Sequence, residues 1–199
     1  MSEIPRWFSE TKEGHSQWYI ERFRTMAREG ADLAGEARLI DAVVVPGSRI
    51  LDAGCGPGRV GGELFRRGHE VVGVDVDPAL IAAADEDYPG PTWVVGDLAS
   101  LDLAAAGHRQ PFDAAVVAGN VMNFVAKGTE VEVLRGLGAH VRPDGRIVIG
   151  FGLDRGYAVE QFDADIAKTA LIVDQRFATW DLRPFTAQSD FNVTILRVP

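Results

Sequence analysis

Three acids placed around one glycine turn are the residues of this chain best suited to chemistry. Asp52 stands two positions before Gly54 in the run Ile50-Leu51-Asp52-Ala53-Gly54-Cys55-Gly56-Pro57-Gly58-Arg59-Val60, and Asp75 and Asp97 each end a later apolar run. A carboxylate about 20 residues beyond the first glycine can accept two hydrogen bonds from a ribose diol. Asp97, after Trp93-Val94-Val95-Gly96, is placed to meet an exocyclic amine of adenine, with the Leu98 N–H and side chain beside it. Each acid also has an ordinary reading, Asp75 as a helix cap and Asp97 as a turn residue. In Asp75-Val76-Asp77-Pro78, Asp77 suits the cap better, which leaves Asp75 for a ligand.

The spacing of the glycines separates the candidate ligands. A dinucleotide loop reads G-x-G-x-x-G, whereas Gly54, Gly56 and Gly58 read G-x-G-x-G, so a nicotinamide-dependent oxidoreductase fits poorly. No Gly-Lys-Ser/Thr follows, which excludes a Walker phosphate loop. With Asp52 just ahead, the loop suits a ligand that carries an amine as well as a carboxylate. Cys55 is the single cysteine and reads as a small filler of the turn. It excludes an internal disulfide and fits a reduced, cytoplasmic setting.

These residues need a strand, a tight turn and a helix to hold them. Strands are expected at Arg49 to Ala53, Glu70 to Val74, Thr92 to Gly96, Ala114 to Ala118 and Arg146 to Phe151, alternating with helices. Continuous apolar runs between long crossovers imply an α/β fold, a doubly wound and mostly parallel sheet with helices on both faces. A helical piece from Ala158 to Thr169 leads to two β-rich runs, Arg176 to Leu182 and Phe191 to Val198, which suit an antiparallel hairpin. Ahead of the sheet, helical stretches are expected over Ser16 to Arg28 and about Leu33 to Val44. No repeat or linker divides residues 1–199, so one domain is expected, with 1–44 as a helical cap and 45–199 as the core.

Composition narrows the function classes. A chain of 199 residues, 46% apolar, can bury a core. A net charge of −9 without a basic cluster argues against nucleic acid as a partner, and no apolar stretch reaches the roughly 20 residues needed to span a bilayer. Arginine supplies 17 of the 20 basic residues and alanine is abundant, a composition common in GC-rich bacterial genomes. His69, His108 and His140 lie beside turns or helix ends and read as surface residues. No clustered Cys/His/Asp spacing proposes a metal site.

On these residues the chain resembles the class I S-adenosylmethionine-dependent methyltransferases from about Val45 onward. Leu51 to Gly58 resembles the family's first motif, Val72 to Asp75 the second, Gly96-Asp97-Leu98 the third, and Phe112-Asp113 through Gly119-Asn120 the fourth. Val141 to Ile149 resembles the turn into the fifth strand, with Asp144 where glycine is usual. The resemblance implies a seven-stranded sheet of order 3-2-1-4-5-7-6, with strand 7 antiparallel. It implies S-adenosylmethionine as cofactor, its methionine part held by the glycine loop with Asp52, Gly54, Cys55, Gly56 and Gly58. Asp75 and Val76 would hold the ribose, Asp97 and Leu98 the adenine, and Gly119 and Asn120 the neighbourhood of the methyl group. The function implied is methyl transfer to a small-molecule acceptor, by a monomer or homodimer. The alternative is a cofactor-binding protein without turnover, a sensor or assembly subunit.

Catalytic candidates must project from the fourth strand's end or from the N-terminal segment, which in this family commonly covers the cofactor. Asn120 can orient an acceptor, meet the methionine part, or simply turn the chain. Tyr19 and Arg22 lie three apart on one helical face, so a phenol and a guanidinium can both reach the site, and Arg22 can meet a carboxylate. His15 is a candidate base. The Asn/Asp-Pro-Pro-aromatic signature of base-flipping amino methyltransferases is absent, which disfavours a nucleic-acid base as acceptor. The stretch ahead of the core is too short for a substrate domain, so the acceptor is small or the site partly open.

Overall fold

The computed structural model describes residues 4–199; residues 1–3 of the expected N-terminal cap lie outside the described residues. Seven strands form one sheet: β1 Arg49–Ala53, β2 Glu70–Asp75, β3 Thr92–Val95, β4 Phe112–Val117, β5 Val141–Gly152, β6 Ile172–Phe177 and β7 Phe191–Arg197. Their order is β3-β2-β1-β4-β5-β7-β6, parallel from β3 to β5, with β7 antiparallel to both β5 and β6. Eight helices accompany them among the described residues: α1 Arg6–Ser9, α2 His15–Arg28, α3 Gly35–Val43, α4 Arg59–Arg66, α5 Pro78–Asp87, α6 Val121–Phe124, α7 Glu130–His140 and α8 Val159–Ile166.

Strand alternation explains the two layers. Ile50, Val71, Val116, Val148 and Val193 turn to one face and pack on Ile40 of α3 and Leu64 of α4. Their neighbours Leu51, Val72, Ala115, Ile147 and Ile149 turn to the other, against Leu134 and Leu137 of α7 and Phe162 of α8. Strands buried on both faces read as continuous apolar runs, which is why the parallel part was legible. A smaller cluster of Trp7, Ile20, Leu80 and Ala83 joins α1 and α2 to α5.

One indole shapes the underside of the glycine turn. A Cβ on Gly73 of β2 would lie 2.3 Å from the Trp93 ring, one on Gly61 2.9 Å, and one on Gly58 3.0 Å. The ring occupies the space that three absent side chains leave, and its N–H donates to the Tyr88 carbonyl at 3.1 Å.

Three expectations need correction. β6 runs over Ile172–Phe177, not Arg176 to Leu182. Thr179 to Leu182 closes a turn instead, with the Leu182 N–H donating to the Thr179 carbonyl at 3.1 Å and Leu182 at φ 66°. β5 begins at Val141, five residues early, because Val141 pairs with Phe112 across an irregularity before the regular register resumes at Arg146. Asp144 takes φ 61° there, the turn geometry that Asp tolerates. His69 is buried, not at the surface: its Nε2 lies 3.0 Å from Asp41 Oδ1 of α3, a partner 28 residues away. His108 and His140 are half-buried.

Candidate functional site

The glycine turn bends as its composition requires. Gly54, Gly56 and Gly58 take φ of 75°, 55° and 84°, the left-handed region that side chains resist. A Cβ on Gly54 would also lie 2.4 Å from Val121 of α6, so the close approach of the β1 and β4 loops depends on its absence. Asp75, 9% exposed at the end of β2, braces the turn by accepting from the Gly56 N–H at 2.8 Å and the Asp77 N–H at 3.0 Å. Each carboxylate oxygen keeps a further lone pair. Burial raises the Asp75 carboxyl to about 6, against the pull of those two N–H groups.

A cavity of about 380 Å³ opens over the carboxyl ends of β1 to β4, within the range of small-molecule sites. Gly54, Gly56, Asp75, Val76, Asp97 and Leu98 form its floor and one wall. Asp97 caps the 3-10 turn Leu98–Ser100, its Oδ1 accepting from the Ala99 N–H at 2.9 Å, while its Oδ2 has no partner among the described residues. Gly119 and Asn120 border the cavity beyond β4. The Asn120 Oδ1 accepts from the Gly152 N–H at 2.9 Å and from Asn123 Nδ2 at 3.4 Å, so its own amide nitrogen is left to donate.

Residues ahead of the sheet close the opposite side. Tyr19 and Arg22 of α2 both border the cavity, as does His15 at the helix start. The Tyr19 ring lies over the glycine turn, 3.6 Å from where a Gly56 Cβ would stand. Burial raises its phenol above the ordinary value, with Arg59 and Arg22 pulling the other way, so it remains a hydrogen-bond donor. The His15 ring packs at centroid distances of 4.9 Å from Trp7 and 5.3 Å from Trp18, and neither ring nitrogen has a partner among the described residues. α1 and α2 are strapped down on both sides of the cavity. The Trp7 indole donates to Asp77 Oδ2 at 2.8 Å, joined there by the Ser16 hydroxyl, and the Asp77 Oδ1 caps α5 through the Ala79 N–H at 2.8 Å. Arg6 donates to the Val125 and Met122 carbonyls at 2.9 and 3.2 Å at the end of α6.

Asp52, Cys55 and Gly58 do not border the cavity. The Asp52 carboxylate is 1% exposed beneath the turn, its Oδ2 accepting from the Gly61 N–H at 2.8 Å and its Oδ1 without a partner. Burial lifts it to about 7. Cys55 is buried and its thiol is pushed well up, first by burial, then by Asp52 and Asp75, so it is inert as a thiolate. Gly58 is the left-handed N-cap of α4.

Sequence reasoning missed Trp7, Arg59, Phe124 and Arg155, which also line the cavity. Arg59 directly follows the glycine turn, yet its place depends on Glu36 of α3, which it grips at 2.6 and 2.7 Å. Nothing local in the sequence marks Trp7 or Arg155.

Residues 50–145 match the methyltransferase domain family. A TehB-like S-adenosylmethionine-dependent methyltransferase of Corynebacterium glutamicum superposes with a TM-score of 0.88 at 42% identity, covering 94% of this chain and 100% of that one. Magnesium-protoporphyrin O-methyltransferase of Rhodobacter capsulatus is 38% identical over 92 residues, 42% of this chain and 40% of that protein. Ribosomal protein L11 methyltransferase of Methylococcus capsulatus is 32% identical over 126 residues, 63% of this chain and 39% of that protein. The chain thus spans about two fifths of the length of these two curated relatives. Its likeness to the corynebacterial protein, by contrast, runs the whole length of that fold, with the expected sheet order and the glycine turn in place. The chain belongs to the S-adenosylmethionine-dependent methyltransferases.

Proposed function

We propose that the protein transfers a methyl group from S-adenosylmethionine to a small-molecule acceptor and releases S-adenosylhomocysteine. The observation that carries this reading is the conjunction of Asp75 with the side-chain-free Gly54 and Gly56 on one wall of a single cavity. The residues present fit the cofactor. Glycine backbone lies where the methionine part must approach closely, a carboxylate with spare lone pairs faces the ribose position, and Asp97 offers a free oxygen for an adenine amine. When bound, the cofactor supplies a methyl group already activated for in-line displacement.

The work left to the chain is positioning and exclusion of water. Trp7, Tyr19, Phe23 and Phe124 close the cavity with apolar rings. Asn120 Nδ2 can orient the acceptor. His15, with both ring nitrogens unengaged, can take the proton of a hydroxyl or ammonium acceptor. A small acceptor agrees with the cavity volume of about 380 Å³. The relatives are named for small-molecule, protein and RNA acceptors; for this chain the net charge of −9 disfavours RNA.

Labelled S-adenosylmethionine incubated with the protein and a metabolite panel tests the reading. Label transfer with matching release of S-adenosylhomocysteine is expected. Tight binding without transfer to any panel member would make the chain a binding protein, and absence of S-adenosylhomocysteine binding by calorimetry would refute the site itself. No helix among the described residues is long and apolar enough to cross a membrane.

A further inference from the structure

In a chain this acidic, arginines rarely stand alone. Twelve of the 17 have a carboxylate within 3.5 Å among the described residues. Two that do not, Arg22 and Arg155, are on the cavity wall. Arg22 has no carboxylate within 4 Å among the described residues; its guanidinium lies 5.7 Å from the Trp18 and Phe23 rings. Arg155 reaches only its neighbour Asp154, at 3.9 Å. That carboxylate is 79% exposed and does not border the cavity, so the contact is weak and screened.

The two guanidiniums sit over different parts of the site. Arg22 is on α2 one turn beyond Tyr19, whose ring covers the glycine turn, so it is placed for the methionine carboxylate. Arg155 lies beyond β5, on the far side of the cavity from the acids of β2 and β3. Gly152 marks its surroundings: a Cβ there would stand 3.3 Å from Asn120 Oδ1 and 3.7 Å from Arg155 Nε. The Gly152 N–H fixes Asn120 with its oxygen inward, which leaves Nδ2 as a donor close to the guanidinium. The Asp154 Oδ1 is nearer still, 3.1 Å from that Cβ position, but it is exposed and 3.9 Å from the guanidinium, so the charged fork and the amide donor keep hydrogen-bonding capacity for an oxyanion on the cavity side. The remaining walls nearby are apolar and flat, from Trp7, Trp18 and Phe124.

We propose that the methyl acceptor is an apolar or aromatic carboxylic acid whose carboxylate is held by Arg155 and Asn120. This rests on the methyltransferase reading above and names the substrate class for that site.

The test uses small acids paired with their uncharged primary amides, such as benzoate with benzamide, 4-hydroxybenzoate with its amide, and anthranilate with its amide. Each is titrated into the full chain saturated with S-adenosylhomocysteine. At least one acid should bind about tenfold or more tightly than its amide, the range of a charge-assisted pair. Arg155→Gln should level the two, Arg155→Lys should restore part of the preference, and Arg22→Gln should keep the preference while weakening S-adenosylhomocysteine. Equal binding of acid and amide in every pair, or no acid binding at all, overturns the proposal. So does a preference that survives Arg155→Gln and vanishes with Arg22→Gln. Because S-adenosylhomocysteine binding is measured first, its failure strikes the cofactor reading, whereas loss of the acid preference alone strikes only this inference.

Discussion

Asp75, as the proposed partner of the ribose diol, should make cofactor binding depend on pH in a direction and amount that follow from its surroundings. Burial raises its carboxyl from 3.8 to about 6 in the free protein. A ribose diol donates two hydrogen bonds, and only the ionised carboxylate accepts both while still holding the Gly56 and Asp77 N–H groups. Binding therefore favours the ionised form, and affinity is full above the free value and lost as pH falls through it. With a value of about 6, roughly a tenth of the protein is ionised at pH 5 and nearly all at pH 7.5, so the Kd for S-adenosylhomocysteine should be about tenfold weaker at pH 5. Calorimetry at pH 5, 6 and 7.5, in two buffers of different ionisation heat, reads both the affinity and the proton released. Asp52 does not border the cavity but feels the Asp75 charge, so an Asp52→Asn variant separates its titration from that of Asp75. His15→Gln and Asp97→Asn variants show whether the slope stays with Asp75. An affinity that is flat over this range, or that strengthens toward acid, would refute Asp75 as the diol partner.

Two further outcomes are expected. The free protein carries Asp52 raised to about 7, so its burial favours folding at acid pH and that contribution is lost as pH rises. Asp52→Asn keeps an acceptor for the Gly61 N–H and should stabilise the free protein more at pH 8 than at pH 5, by up to about 2.5 kcal/mol from thermal melts; an equal gain at both would show that the charge is not the cause. Trp7→Phe keeps the ring but removes the donor to Asp77, a charge-assisted bond worth about 1.5–3 kcal/mol, so amide exchange over His15–Arg28 should speed about tenfold or more in the free protein and slow again with S-adenosylhomocysteine. Exchange unchanged by variant and ligand would show that the strap does not cover the site.

What the sequence made legible was local. Gly54, Gly56 and Gly58 announce left-handed backbone, Asp77-Pro78 a capped helix, and the apolar runs a sheet covered on both faces; each is decided by neighbours in the chain. The illegible parts depend on distant partners. α1 is four residues long and held by Asp77 and the α6 carbonyls, about 70 and 120 positions away, so it is too short to carry a helical periodicity. β6 lies earlier than Arg176 to Leu182 because its register is dictated by pairing from Ile172 with Arg197 to Phe177 with Val193, and the apolar Trp180 and Leu182 fall in the turn that follows. His69 owes its burial to Asp41 of α3. The same holds at the site: Asp75, Asp97 and Tyr19 could be picked out from spacing, whereas Arg155 stands out only once its single long contact with the exposed Asp154 is visible.

Trp93 and the glycines around it have a consequence for how this protein can change. Gly58, Gly61 and Gly73 come from three different elements, yet all are constrained by the same indole. A side chain gained at Gly73 or Gly61 is blocked while the indole remains, and loss of the indole leaves a void under the cofactor turn that the glycines cannot fill. At Gly73 and Trp93, then, the effect of a mutation depends on its order of arrival: a larger residue at Gly73 requires Trp93 to have shrunk first, a step that is itself costly, whereas Gly61 would still meet Asp52 Oδ2 at 3.0 Å and Val71 at 3.1 Å. Gly58 differs, since its φ of 84° and its nearness to Ala84 would still oppose a side chain after the indole had gone. The floor of the glycine turn is thus held in place by mutual exclusion among residues that lie beneath the cavity rather than on its wall.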